Sequence, residues 1–345
     1  MRWRIVCLLF LIATATAGCG AHPVPRASAR EMRAAERVLT ADVSTLRNEW
    51  YLFKAQQELV ARCMWQRRLK YFITDAGPEP DPGTLTEDAI GRGHPHTYGV
   101  VREIAALAAT GAEADRGDDP TVLPQDRYVT GLPSDDQDAY VRILLGPPDS
   151  LGSLVLPSGM RANYLTEGCV GLARSRLFGS VEEALLDLML PQDVSRSFEV
   201  VLWDDPRYEW AMSAWRRCME EAGWKYRSPL SAIKSIRSLA IEGEPLGELL
   251  LREAAVAEAD AACDSRSALR ATQQTILAEY LRQQPARIIR QLADVLKARR
   301  AAVQLAVEVL MTSSGYRPPD ALGSRRPRPA QAGPGRARWG CGARG

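Results

Sequence analysis

Cysteines, histidines and a run of tryptophans are the residues of this 345-residue chain best equipped for chemistry. Cys63, Cys169, Cys218 and Cys263 lie far apart, and no CxxC pair occurs. Zinc sites and redox dithiols use close spacing, so these four are expected to form two disulfides, for which four cysteines allow three connectivities. His94 and His96, in "GRGHPHTYG", put two imidazoles side by side, but no further ligand stands at a familiar spacing. They are the chain's metal candidates, and no cofactor is implied. Trp203, Trp210, Trp215 and Trp224 fall close together. Trp210 shares a four-residue spacing with Ala214, Cys218 and Ala222, which assigns it to a buried helix face. Trp203, Trp215 and Trp224 remain as candidates for lining a sugar- or peptide-binding cleft. The acidic pairs Asp135-Asp136 and Asp204-Asp205 suit glycoside hydrolysis in residue type. Both also stand where helices begin, and helix N-termini favour negative charge. The capping role is the simpler one.

The chain opens "MRWRIVCLLFLIATATAGC". Arg2 and Arg4 precede a short apolar core and then small residues, the layout of a secretory signal over 1–18. The "TAGC" ending resembles the lipobox of bacterial lipoproteins, which implies acylation of Cys19, although Thr16 stands where Leu or Val is usual. Cleavage after Ala17 at an A-x-A site is the alternative, and would leave a secreted protein. Export makes disulfides the expected state of the body cysteines, with Cys341 left over in the tail.

Net charge is +2, but it is unevenly spread. The tail from residue 316 carries seven Arg against Asp320, a balance of +6. Removing that and the +2 of Arg2 and Arg4 leaves the body at −6. A net-acidic body disfavours nucleic acid as a partner. The Pro-, Gly- and Arg-rich tail predicts disorder over 313–345.

Elements must position these residues. "SARE" at 28–31 is a capping-box pattern that starts a helix. A second helix is predicted over about 45–70, with "GPEPDPG" at 77–83 stopping it and helical character resuming over 86–110. A loop from 111, a helix over 138–146, a hairpin over 153–165 and helices over 169–176 and 180–190 follow, the last ended by Pro191. A second unit is expected from Ser195, opening with a strand, "SFEVVLW". Asp205-Pro206 starts a helix that Gly223 closes. Two long helices, about 246–283 and 286–311, complete the unit. In the last, Ile288, Leu292, Val295, Leu296, Val303, Ala306 and Leu310 recur at helical spacing. Leu249, Val256 and Cys263 share a face, so Cys263 can meet Cys218, and the same logic pairs Cys63 with Cys169. The fold class is therefore mainly α. Two disulfide-stapled helical units, 28–194 and 195–312, carry one small β-hairpin, with a tether over 19–27 and a basic disordered C-terminal tail.

One short pattern recurs. "CMWQRRLKY" at 63–71 and "CMEEAGWKY" at 218–226 share Cys, Met, Lys and Tyr in register, with Arg68 standing where Gly223 does. Four matches in nine do not establish a duplication. "CMEEAGWKY", "ADAAC" at 259–263 and "GCVGLARSRLFG" at 168–179, in that arrangement, resemble a group of actinobacterial secreted lipoproteins of unknown function. The resemblance covers roughly 45–285 and implies an exported protein with paired cysteines, and no activity.

No GxSxG, P-loop or HExxH is present. The expectation is an exported, lipid-anchored cell-envelope protein with a non-catalytic binding or scaffolding role on the outer face of the cytoplasmic membrane. Its partners would be the membrane, through the anchor, and a cell-wall polymer or envelope protein. An envelope hydrolase acting on cell-wall glycan or peptide is the alternative.

Overall fold

The computed structural model describes residues 26–40, 46–74, 77, 79–80, 98–101, 104–105 and 124–313. Cys19, His22, His94, His96, Cys341, the signal and the basic tail lie outside the described residues.

Helix α1 (Ala29–Leu39) begins as its sequence dictates: Ser28 Oγ accepts from Glu31 N–H at 3.2 Å, and the Glu31 carboxylate accepts from Ser28 N–H at 2.6 Å. Helices α2 (Leu46–Gln66), α3 (Pro124–Thr130) and α4 (Ser134–Leu145) precede the hairpin, β1 (Leu151–Val155) and β2 (Arg161–Leu165). The strands are antiparallel, with Ser153 opposite Asn163. Helices α5 (Gly168–Phe178), α6 (Val181–Asp204), α7 (Pro206–Glu221), α8 (Pro229–Ile241), α9 (Leu246–Ser267), α10 (Leu269–Gln283) and α11 (Ala286–Ser313) complete the described chain. The fold is mainly α with one small hairpin, as expected. Helix α11 is the central strut, packing against α1, α2, α5 and α6. Its predicted stripe is the buried one: Ile288, Leu292, Val295, Leu296, Ala306 and Leu310 are in the core, and Val303 is half-buried against it.

Both expected disulfides are present, Cys63–Cys169 with Cα atoms 5.6 Å apart and Cys218–Cys263 at 5.5 Å. The first staples α2 to α5 and the second α7 to α9. Chain entropy over loops of this length makes each worth roughly 4–5 kcal/mol.

Several expectations are corrected. "SFEVVLW" is not a strand, and Pro191 does not end the preceding helix. A single helix, α6, runs through both, so the boundary expected between 194 and 195 falls inside it. Burial shows why: Leu190, Val194, Phe198 and Leu202 recur every four residues and enter one core, while Val200, Val201 and Trp203 face out. That is a helical stripe, and its packing outweighs the hydrogen bond that Pro191 cannot donate. The helix expected over 246–283 is broken at Ala268, which adopts φ +52°. Polar side chains capture the backbone there: Asp264 accepts from Arg270 N–H at 2.8 Å and Ser267 Oγ from Leu269 N–H at 3.3 Å. Helix α8 has no counterpart among the expected elements. Its entry chemistry is nonetheless that of α7, Ser228 capping and Pro229 in the first turn.

The repeated pattern has a structural meaning. Leu69 N–H bonds Met64 O at 3.0 Å and Arg68 N–H bonds Trp65 O at 2.8 Å; Trp224 N–H bonds Met219 O at 2.8 Å and Gly223 N–H bonds Glu220 O at 3.0 Å. Both are Schellman closures of a helix whose disulfide cysteine precedes a fully buried Met. The closure needs a left-handed residue, and both Gly223 (φ +89°) and Arg68 (φ +62°) supply it. Only the arginine pays the Cβ clash. Arg68→Gly should therefore raise stability by roughly 0.5–1 kcal/mol in urea unfolding, and Gly223→Ala should lower it by about 1 kcal/mol. Nothing lies within 4 Å of a Cβ added at 223, so the backbone alone decides that sign.

Candidate functional site

The polar centre of the body is built on one face of α9. Leu249, Glu253, Val256, Asp260 and Cys263 form a buried seam with alternating steps of four and three, flanked by buried Ala257, and two carboxylates are set into it. Glu253 is 1% exposed and Asp260 3%. Such groups must be paired. Asp260 accepts from Trp215 Nε1–H on α7 at 2.8 Å and from the Tyr98 hydroxyl at 3.0 Å. Glu253 accepts from the backbone N–H of Gly99 and, at 2.9 Å, of Val101. One helix face thus holds residues 98–101 against the core through two acids one heptad apart. Burial pushes the Asp260 carboxyl up, and the Trp215 and Tyr98 hydrogen bonds pull it partly back. Burial, together with the Asp260 charge, also holds the Tyr98 hydroxyl far above its usual range.

The other buried acids are also engaged. Arg299 on α11 grips Asp187 on α6 through Nε at 2.8 Å and Nη2 at 3.0 Å, and reaches Glu49 on α2 through Nη1 at 2.6 Å. This fork binds three helices. Asp193 accepts from Ser158 N–H at 3.0 Å and from the Ser158 hydroxyl, fixing the hairpin turn to α6. In chemical terms these are latches: acceptors already filled by the protein's own donors.

The residues singled out from sequence fare differently. Trp215 is fully buried, with its indole on Asp260, and lines no open cleft. Trp203 is 56% exposed and stands edge-on to Tyr208, with ring centroids 5.4 Å apart. Trp224 is half-buried and stacks on Tyr226 at 6.4 Å, where it covers the closed end of α7. The structure does not bring the three together as a platform. Trp210, assigned to the buried face, points out instead at 77% exposed. The cause is geometric: a spacing of four advances 400°, so a run of such steps drifts about 40° each time around a helix. The true face is Tyr208, Ala211, Met212, Trp215, Cys218 and Met219.

Asp205 is the N-cap of α7, accepting from Arg207 N–H at 2.8 Å, and the Arg207 guanidinium holds its carboxyl below the ordinary value. Arg207 also pairs with Glu279 on α10 at 2.6 Å. Asp135 and Asp136 lie in the first turn of α4. Asp205, Asp135 and Asp136 therefore sit where helices begin, while Asp204 is the last residue of α6. Among the described residues, no three His, Cys, Asp or Glu side chains are grouped to hold a metal ion.

Glu253, Asp260, Tyr98 and Arg299 were not among the sequence candidates. The signal for the first two was present: the predicted stripe of Leu249, Val256 and Cys263 leaves 253 and 260 at the intervening positions of the same seam. For Tyr98 and Arg299 the partners are 162 and 112 residues away, and no local pattern marks them.

No family model, no curated protein and no solved structure matches this chain.

Asp260→Ala strips the acceptor from two buried donors and should cost roughly 3 kcal/mol. Asp260→Asn separates charge from packing. Because burial raises the Asp260 pKa in the folded state, its carboxyl favours folding below the unfolded value, and that contribution is lost as pH rises through the raised folded value. Wild-type stability relative to Asp260→Asn should accordingly fall from pH 3 upward and then level, measured by urea titration across pH 3–8.

Proposed function

We propose that this protein is an exported, lipid-anchored cell-envelope protein whose helical body serves as a non-catalytic binding or scaffolding surface on the outer face of the cytoplasmic membrane. The observation that carries the reading is the pair of disulfides, both buried between packed helices. Disulfides of this kind form and persist in oxidising compartments. No described helix is long and apolar enough to cross a membrane. The "TAGC" ending at Cys19 supplies the reason to place the chain on a membrane through a diacyl anchor, which holds far more firmly than a single acyl chain.

Support for a binding role over chemistry comes from how the buried acids are used. Asp187, Asp193, Glu253 and Asp260 each hold another part of the chain in place. Large apolar side chains at the surface, Trp203 and Trp210 among them, offer contact area instead. The proposed partners are the membrane and a cell-wall polymer or another envelope protein.

Cys19→Ala should move the protein from the membrane fraction to the soluble extracytoplasmic fraction. Wild-type membrane material should yield a lipid-modified Cys19 peptide by mass spectrometry. Recovery of Met1 together with free thiols at Cys63 and Cys218 would place the protein in the cytoplasm and end this reading.

A further inference from the structure

Helix α1 divides its surface sharply. Ala35, Val38 and Leu39 are buried, while Arg30, Arg33 and Arg37 are exposed. At 100° per residue the three arginines fall within about 60° of each other, on the side away from Leu39. Arg26, just ahead of the helix, is exposed as well. Helix α1 packs on α11, which adds exposed Arg287 and Arg290 beside it, Arg290 close enough to bear on the Glu31 carboxylate. Glu31 is engaged by Ser28 in the capping box, Glu36 is half-buried and Asp294 lies further along α11. The body as a whole is net acidic at −6 once the +2 of the signal and the +6 of the tail are set aside. Arg26, Arg30, Arg33, Arg37, Arg287 and Arg290 thus stand exposed on and ahead of α1 and on the helix it packs against.

We propose that this arginine ridge docks the body on anionic phospholipid headgroups, with α1 the element nearest the bilayer. The inference rests on the anchored reading above, because chain length supplies half of it. Only residues 20–27 separate Cys19 from the Ser28 cap, a span of at most about 32 Å when fully extended. An acyl anchor on Cys19 therefore confines α1 to a tether's length from the headgroups, and within that volume the ridge can come into the roughly 10 Å over which charge attraction acts. Charge complementarity supplies the other half: guanidinium groups bind phosphate oxygens bidentately, and the ridge presents a row of them. The apolar face of α1 is committed to the core, so the contact is electrostatic, without insertion, and weakens with salt.

The test uses the mature chain from Cys19 carrying Cys19→Ser, with the seven tail arginines changed to Gln so that only the body is read. Its cosedimentation is followed with vesicles of phosphatidylcholine alone or with about one-third phosphatidylglycerol. The expected result is salt-sensitive binding to the anionic vesicles only. The Arg30→Gln/Arg33→Gln/Arg37→Gln variant should lose about tenfold or more in affinity, and Arg30→Lys/Arg33→Lys/Arg37→Lys should keep most of it. Equal binding by the Gln variant, or equal binding to neutral vesicles, overturns docking. Binding to soluble polyphosphate with none to vesicles also overturns it, and assigns the ridge to an anionic polymer. The chain in this assay bears no lipid, so the result is independent of acylation. Ridge binding without acylated Cys19 in cells would remove the anchor alone, and acylated Cys19 without ridge binding would remove the docking alone.

Discussion

Two carboxylates buried on one face of α9 set the terms for the rest of the body. A charged or hydrogen-bonding group taken out of water costs several kcal/mol unless it finds partners. Glu253 and Asp260 find theirs in different parts of the chain: the backbone at Gly99 and Val101, the Tyr98 hydroxyl and the Trp215 indole. The same seam ends in Cys263, bonded to Cys218 on α7. Helix α9 therefore grips residues 98–101 by hydrogen bonds and α7 by a hydrogen bond and a covalent link. Apolar packing alone is tolerant of small slides. Acceptors placed one heptad apart are not, and they select one register of α7 and of residues 98–101 on α9.

The same logic recurs at lower stakes. Arg299 needs Asp187, and together with Glu49 they bring α2, α6 and α11 to one point. Asp193 needs Ser158, and the hairpin is thereby set on α6. Buried acids in this body act as fasteners, and this bears on function more than any motif does. A body that commits its buried polar groups to holding itself together meets its surroundings through its surface, and there the notable features are exposed tryptophans and a ridge of arginine.

How much of this was legible in the sequence depends on the range of the interaction. Local chemistry read well. Ser28 with Glu31, Asp205 with Pro206, Gly223 as a closing residue and the α11 stripe all act within a turn or two, and each appears where expected. The disulfides were legible because helical faces limit which cysteines can meet. Competition between local and tertiary terms was the first source of error. Pro191 and the β-branched "SFEVV" argue locally against helix, yet the stripe of Leu190, Val194, Phe198 and Leu202 prevails once a core is there to receive it. Angular drift was the second, and it placed Trp210 inside when Trp215 is the buried ring. Distance was the third: nothing near Tyr98 announces Asp260. Arg68 is the instructive middle case. Its left-handed conformation could be inferred only by laying its pattern over the one that ends in Gly223.

The measurement that bears most directly on this account is native-state hydrogen exchange, followed by NMR, at the Trp215 indole N–H and at the Gly99 and Val101 amides. If the α9 carboxylates are fasteners sealed in the core, all three protons exchange only through cooperative unfolding, with the protection of the deepest α9 amides. Exchange of these protons on the timescale of surface groups, while the α9 amides stay protected, would mean that water reaches Glu253 and Asp260 in the folded protein. The two acids would then be groups open to a ligand or a substrate, and the central claim would fail.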